Sequence, residues 1–192
     1  MAQTRIEIRE ARKEDLEQVV DLWEDLVAHH SDLSIHFLPA SDGREKWSKY
    51  VSKKFSEKST KLVVAEQDNE IVGFMLGMLS PNAPIFKEKT LGTISDAYVR
   101  PELRKKGITR EMLKVCLKWF YKNKVRTANL SVAAANFEAR AAWGQMGFKP
   151  HMIMKRMDLD KYPAKDMIAR KPKIVRKKVV KGKDKKQSRK LR

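Results

Sequence analysis

Residues 98–110 read Tyr98-Val99-Arg100-Pro101-Glu102-Leu103-Arg104-Lys105-Lys106-Gly107-Ile108-Thr109-Arg110. A strand-like segment reaches a proline here, and a basic loop then leads directly into an amphipathic helix. The first N–H groups of a helix have no partner within it and carry the positive end of the helix dipole. Gly107 lets the backbone approach a ligand closely, and the nearby Lys and Arg side chains add positive charge. The segment therefore predicts a phosphate-binding site at the start of a helix.

A second segment farther along the chain makes this prediction more specific. It reads Asn136-Phe137-Glu138-Ala139-Arg140-Ala141-Ala142-Trp143-Gly144-Gln145-Met146-Gly147-Phe148. Together the two segments resemble the GNAT family of N-acetyltransferases, whose pattern is V-x-P-x-x-R-x-x-G-x-G/A followed by N-x-x-A-x-x-x-Y-x-x-x-G-F. The matching positions are Val99, Pro101, Arg104, Gly107, Asn136, Ala139, Gly147 and Phe148. Thr109 stands where the family usually has Gly or Ala, and Trp143 stands where it usually has Tyr.

The spacing of apolar residues predicts an α/β domain with the element order β-α-α-β-β-β-α-β-α-β. Strands are expected at 6–8, 62–65, 71–79, 93–99, 128–132 and 148–159, and helices at 13–29, around 47–55, at 108–119 and at 136–146. Asp68-Asn69 predicts a hairpin turn. The resemblance implies the GNAT fold, a mixed and mostly antiparallel sheet flanked by helices. We expect this domain to span residues 1–160.

The positive charge of the chain is concentrated at its C-terminal end. The 192-residue chain has a net charge of +18, and residues 161–192 hold 15 Lys and Arg against two acidic residues. This segment is therefore a basic C-terminal extension with a charge of +13. Two hypotheses stay open for it: a solvated tail, or an electrostatic contact with nucleic acid, the ribosome or an acidic protein. The sequence also leaves a homodimer open.

Composition indicates a cytoplasmic protein without membrane contact. Cys116 is the only cysteine, so an internal disulfide is excluded, and its place on an apolar helical stripe predicts a core residue. The N-terminus has no secretory-signal pattern, and no apolar run is long enough to span a membrane. His29, His30 and His36 lie near the end of the first helix. Since no second ligand cluster accompanies them, we expect no metal.

The resemblance implies acetyl-CoA as co-substrate, with its pyrophosphate on the 104–110 loop. Val99 would donate its N–H to the thioester carbonyl, which stabilises the oxyanion that forms there. Asn136 fits a helix N-cap, a contact to the pantetheine arm or acceptor, or both together. The residues expected to bind acetyl-CoA are Val99, Arg104, Lys105, Lys106, Gly107, Ile108, Thr109, Arg110, Asn136, Ala139 and Trp143.

The acceptor amine must lose a proton before it can attack. For a lysine-type amine near neutral pH this costs roughly 4–5 kcal/mol. Asp96, three residues before Val99, is the candidate proton acceptor. Strand alternation places Asp96 and Tyr98 on one face and Thr93, Ser95 and Val99 on the other.

Departure of the thiolate has no obvious proton donor in this chain. In the family, a tyrosine at the position of Trp143 is thought to protonate the departing CoA. An indole cannot do so, and Tyr98 is the candidate replacement. The sequence thus favours an N-acetyltransferase that moves an acetyl group to a primary amine by direct attack, on a protein or a small molecule. The alternative is an acetyl-CoA-binding domain with weak or no catalysis, acting as a sensor or interaction protein.

Overall fold

The structure, a computed structural model, describes residues 5–159. Its strands are β1 (Glu7–Glu10), β2 (Thr60–Gln67), β3 (Glu70–Pro81), β4 (Thr90–Val99) and β5 (Ala128–Leu130). Its α-helices are α1 (Leu16–Leu33), α2 (Gly43–Phe55), α3 (Ile108–Lys122) and α4 (Phe137–Gln145). Short 3-10 turns lie at Lys13–Asp15, Ile35–Phe37 and Pro101–Leu103. The chain divides after Lys149, and the fold below is that of the first unit.

The five strands form one sheet in the order β1-β2-β3-β4-β5. Neighbouring strands from β1 to β4 run antiparallel, and β5 runs parallel to β4. Asp68 and Asn69 join β2 to β3 with φ values of 54° and 64°. These left-handed conformations are typical of a tight hairpin turn, as the sequence predicts. The mixed, mostly antiparallel α/β fold is confirmed.

Helices cover both faces of the sheet. On one face α1 and α2 bury Val19, Trp47 and neighbours against Phe74. On the other face α3 buries Met112 and Cys116, as expected for its apolar stripe. Burial raises the pKa of the Cys116 thiol to about 12, so the thiol stays protonated and packs as an apolar side chain.

One extra residue, Ser95, interrupts the pairing of β4 with β3. Asp96 pairs with Leu76, whereas Ile94 pairs with the next residue of β3, Gly77. Ser95 therefore has no partner across the ladder. A bulge of this kind bends the strand and shifts its side-chain alternation by one residue.

The bulge changes which residues of β4 share a face. Ile94 packs on the α3 side and Tyr98 on the α1 side, although strict alternation would place both on one side. A side chain at Gly92 would meet Phe120 of α3, so Thr93, which lies between Gly92 and Ile94, faces away from α3. The prediction that Thr93 shares a face with Val99 is therefore wrong.

The predicted closing strand over 148–159 is also wrong, since the structure describes no strand there. The Phe148 N–H bonds back to the Trp143 carbonyl at 3.1 Å, which keeps the chain in a turn at the end of α4. Pro150 follows and has no N–H to donate to a ladder. The basic tail at 161–192 lies outside the described residues. Among residues 5–159, no helix has the length and apolar character to cross a membrane.

The close contact between β4 and α3 gives a stability prediction. A Cβ at Gly92 would lie 2.6 Å from the Phe120 ring, so Gly92→Ala must displace that ring. We expect a loss of about 1–3 kcal/mol in the free energy of unfolding. Gly144 in α4 has no atom near its Cβ position, and Gly144→Ala should stabilise by up to about 1 kcal/mol. Urea unfolding measures the change in the free energy of unfolding for both variants. Equal changes in Gly92→Ala and Gly144→Ala would contradict the packing argument.

Candidate functional site

A cavity of about 650 Å³ opens where β4 and β5 separate. The two strands pair only from Gly92 with Ala128 to Ile94 with Leu130, while β4 continues to Val99. Side chains from α1, β4, the start of α3 and α4 line this cavity. The structure brings twelve of the predicted site residues to its wall: Asp96, Tyr98, Val99, Arg104, Lys105, Gly107, Ile108, Thr109, Arg110, Asn136, Ala139 and Trp143. Lys106 is exposed and does not line it.

The backbone N–H of Val99 points toward the cavity. The Arg100 N–H donates to the Val72 carbonyl of β3 at 3.0 Å. In an antiparallel ladder the N–H direction alternates from one residue to the next. Val99, paired with Gly73, therefore directs its N–H away from β3 and toward the side where β5 has ended.

The loop before α3 presents a set of unpaired N–H groups. Lys105 and Gly107 have φ values of 63° and 82°, and Gly107 is the N-cap of α3. Among the described residues, the first i→i−4 bond of α3 runs from the Glu111 N–H to the Gly107 carbonyl at 3.1 Å. The N–H groups of 108–110 thus have no helical acceptor. A Cβ built on Gly107 meets nothing within 4 Å, so the space above the loop is open.

Two of the predicted basic residues contact protein groups. The Arg104 Nε donates to the Val99 carbonyl at 3.1 Å, and its guanidinium lies 5.5 Å from the centre of the Tyr98 ring. The Lys105 ammonium lies 3.5 Å from the Glu138 carboxylate of α4. The Arg104 hydrogen bond therefore stabilises the end of β4, and the Lys105 ion pair connects the loop to α4.

Asn136 caps α4 and also reaches α1. Its side-chain oxygen accepts a hydrogen bond from the Ala139 N–H at 3.0 Å, so the N-cap interpretation is confirmed. Its side-chain nitrogen lies 3.5 Å from the His29 Nε2. This contact connects α4 with α1 at the wall of the cavity.

The Asp96 side chain lies at the cavity wall. Its carboxylate receives a hydrogen bond from the Ser95 hydroxyl at 2.6 Å. Burial raises the pKa of Asp96, and the Ser95 hydrogen bond and the charge of His30 oppose this increase. A carboxylate with a raised pKa is a stronger base than an exposed aspartate.

His30 shares the cavity wall with Asp96. Burial lowers the pKa of His30, His29 lowers it further, and Asp96 acts in the opposite direction. The His30 ring packs 5.6 Å from Phe37. His29 also lines the cavity, whereas His36 does not. Across residues 5–159, no group of three or more His, Cys, Asp or Glu side chains could hold a metal ion.

Tyr98 and Trp143 both line the cavity. Burial raises the pKa of Tyr98, and Asp25 adds to this effect, so the phenol keeps its proton. Trp143 packs edge-on against Phe148 with the ring centres 5.5 Å apart. Their roles in proton donation and cofactor contact stay predictions.

Sequence reasoning missed several residues of the wall. Leu26 comes from α1, and Ser131 and Val132 follow β5 directly. The position of Ser131 and Val132 at the end of a strand parallel to β4 is a usable signal, because ligands often bind beyond such ends. Leu26 carries no such signal, since its helical spacing predicts only burial.

Comparisons with known proteins agree with this fold. The sequence model of the Acetyltransferase (GNAT) family matches residues 18–148. The chain therefore belongs to this family. It is 28% identical over 135 residues to an uncharacterized N-acetyltransferase of Archaeoglobus fulgidus, a match that covers 70% of this chain and 87% of that protein.

Solved structures show the same fold at lower identity. A predicted acetyltransferase from Clostridium acetobutylicum, solved with acetyl-CoA, has a TM-score of 0.69 and 17% identity, and the match covers 83% of this chain and 99% of that one. The aminoglycoside N-acetyltransferase AAC(6')-Iy in complex with CoA has a TM-score of 0.63 and 14% identity, with 80% and 95% covered.

The burial of His30 predicts a specific pH dependence. Its pKa lies below the ordinary 6.5 in the folded protein, so in the window just below 6.5 the unfolded chain binds more protons at this position. Stability then falls as the pH falls through that window. When the pH is lowered from about 7.5 to about 5.5, the free energy of unfolding should fall less in His30→Gln than in the wild type. Urea unfolding at both pH values measures this difference, and His36→Gln serves as the exposed control. A pH dependence of stability in His30→Gln equal to that of the wild type would contradict the burial argument.

Proposed function

We propose that the protein is an N-acetyltransferase that moves an acetyl group from acetyl-CoA to a primary amine. One observation carries the proposal: a single cavity joins the unpaired N–H groups at the start of α3 to the Val99 N–H and the Asp96 carboxylate. Membership of the family supports it, as do the related folds solved with acetyl-CoA and with CoA.

The start of α3 suits the pyrophosphate of acetyl-CoA. Its N–H groups at 108–110 lack helical acceptors, and the positive end of the helix dipole adds to their attraction for an anion. Gly107 leaves open space and adopts a φ of 82° that other residues avoid. The Thr109 hydroxyl would supply a further donor to a phosphate.

Asp96 would accept the proton that the acceptor amine must release. The amine nitrogen then attacks the thioester carbonyl carbon, a C–N bond forms, and the carbonyl oxygen becomes an oxyanion. The Val99 N–H would stabilise this oxyanion, a type of contact worth about 3 kcal/mol. Collapse of the intermediate breaks the C–S bond, and the protonated Tyr98 phenol is the candidate donor to the departing thiolate.

Release of free CoA thiol tests the reaction. The purified chain is mixed with acetyl-CoA and with a panel of amines: a peptide with a free N-terminus, a lysine peptide, a polyamine and an aminoglycoside. We expect amine-dependent thiol release with at least one of them. Trp143, which cannot replace the family's tyrosine as a proton donor, favours the alternative of a binding domain. Saturable acetyl-CoA binding without release above the amine-free rate would support that alternative and contradict the enzyme.

Replacing the proposed base should slow turnover without weakening cofactor binding. Asp96→Asn keeps the shape of the side chain and removes its basicity. We expect kcat to fall by about 10²–10⁴-fold and the Kd for acetyl-CoA to stay within about twofold. Asp68→Asn, at the hairpin turn outside the cavity, makes the same chemical change and should keep wild-type kinetics. A wild-type kcat in Asp96→Asn would rule out the base role.

A side chain at Gly107 should weaken acetyl-CoA binding. Gly107→Val strains a backbone with φ of 82° and fills the open space above the loop. We expect the Kd for acetyl-CoA, measured by calorimetry, to rise at least about tenfold, or about 1.4 kcal/mol. Gly147 also has a positive φ, 101°, but does not line the cavity, so Gly147→Val controls for strain. Equal losses in both variants would argue against a direct contact at Gly107.

A further inference from the structure

A group of cations around the C-terminal end of α3 makes no ion pair among residues 5–159. Elsewhere on the domain many cations are paired with carboxylates, as Arg9 is with Asp15 and Arg100 with Glu70. We name this group, together with one exposed aromatic residue, the α3-end surface. Its members are Lys87, Lys89, Lys118, Tyr121, Lys122, Lys124 and Arg126.

Two hydrogen bonds join the separate segments of the α3-end surface. Both oxygens of the Glu88 carboxylate accept from the Thr127 hydroxyl, at 2.8 and 2.7 Å. This contact brings the loop between β3 and β4, with Lys87 and Lys89, beside the turn that follows α3. The backbone bond from the Gly92 N–H to the Thr127 carbonyl, at 2.9 Å, fixes the same junction.

The charge of this surface is not balanced locally. Residues 115–135 contain four Lys and Arg and no Asp or Glu. Glu88, the acidic residue at the junction, supplies one negative charge, which its hydrogen bonds with the Thr127 hydroxyl do not remove. The negative end of the α3 dipole stabilises a positive charge in the last turn, such as that of Lys122, but this effect falls off within one turn. Six Lys and Arg side chains therefore face one nearby carboxylate, and the excess of positive charge makes them repel one another.

Tyr121 adds an aromatic surface to these charges. Its side chain is 66% exposed. The Arg126 guanidinium lies 3.9 Å from the ring centre, and its Nη1 donates to the Tyr121 carbonyl at 3.2 Å. The guanidinium therefore holds the ring in place and leaves much of it in solvent. Exposed aromatic rings beside cations are the platform on which unpaired bases stack.

We propose that the α3-end surface binds single-stranded nucleic acid, with its Lys and Arg side chains on the phosphates and Tyr121 against a base. Phosphates supply the counter-charge that the surface lacks. An acidic protein would also supply charge, but it would leave the exposed ring without a stacking partner. Base stacking therefore favours a nucleic acid with unpaired bases.

The α3-end surface is separate from the cavity. None of its residues lines the cavity, which contains the opposite end of α3. The helix runs from Ile108 to Lys122, so its two ends lie about 20 Å apart at 1.5 Å per residue. The proposal does not depend on acetyl transfer, and it can be tested without any turnover assay.

Fluorescence anisotropy of a labelled single-stranded RNA, and of the same sequence as DNA, measures binding to the full chain. The full chain is used for every variant, so that the charge of residues 161–192 contributes equally to each measurement. Lys118→Gln with Lys122→Gln should weaken binding at least about tenfold at physiological salt. The slope of log K against log salt should also become shallower by about 1.4, or about 0.7 for each lost phosphate contact.

Tyr121→Ala separates stacking from charge. It should weaken binding about fivefold or more while the salt slope stays unchanged, because it removes a base contact and no charge. Lys46→Gln with Lys49→Gln is the matched control, since it removes the same charge from α2, where both lysines are paired with carboxylates. This control should bind within about twofold of the wild type. Thermal unfolding checks that every variant is folded.

Two results would overturn the proposal. Equal losses in the α3 and α2 double variants, with Tyr121→Ala unaffected, would show that net charge or the tail alone binds the nucleic acid. Equally tight binding of poly-glutamate, insensitive to Tyr121→Ala, would indicate an acidic protein as the partner of this surface.

Discussion

The early end of pairing between β4 and β5 is the constraint on which the cavity depends. Pairing ends at Ile94, and the bulge at Ser95 follows immediately. Because a bulge bends its strand, β4 moves away from β5 and leaves one edge of its last residues without a neighbour. The Val99 N–H points toward the cavity along this edge, and Asp96 also lines the cavity. A regular β4 paired along its length would have closed the site.

Burial then gives the cavity its chemical character. It raises the pKa of Asp96 and Tyr98 and lowers that of His30, so each neutral form is favoured relative to an exposed side chain. At the other end of the cavity the unpaired N–H groups of α3 offer partial positive charge. One helix thus presents an anion-attracting start to the cavity, while the cations near its opposite end form a separate surface.

The features that the sequence predicted well are those controlled by adjacent residues. The start of α3 at Ile108, the cap of α4 by Asn136 and the turn at Asp68-Asn69 each depend on a few neighbouring residues. The apolar periods of α1 and α3 likewise predicted which faces are buried. Two short motifs likewise identified eleven of the twelve predicted residues that line the cavity, and Asp96 is the twelfth.

The features that the sequence missed depend on distant parts of the chain. Local alternation predicted that Thr93 and Val99 lie on the same face of the sheet. The bulge at Ser95, where the register between β3 and β4 shifts, puts them on opposite faces. Nothing in the sequence indicated that the Arg104 Nε donates to the Val99 carbonyl at the end of β4. The sequence by itself determined the family, the helices and the glycine-containing loop before α3, because local propensities and motifs encode them. Only the tertiary structure decided which side chains face the cavity and where unbalanced charge gathers, because strand register and packing set both.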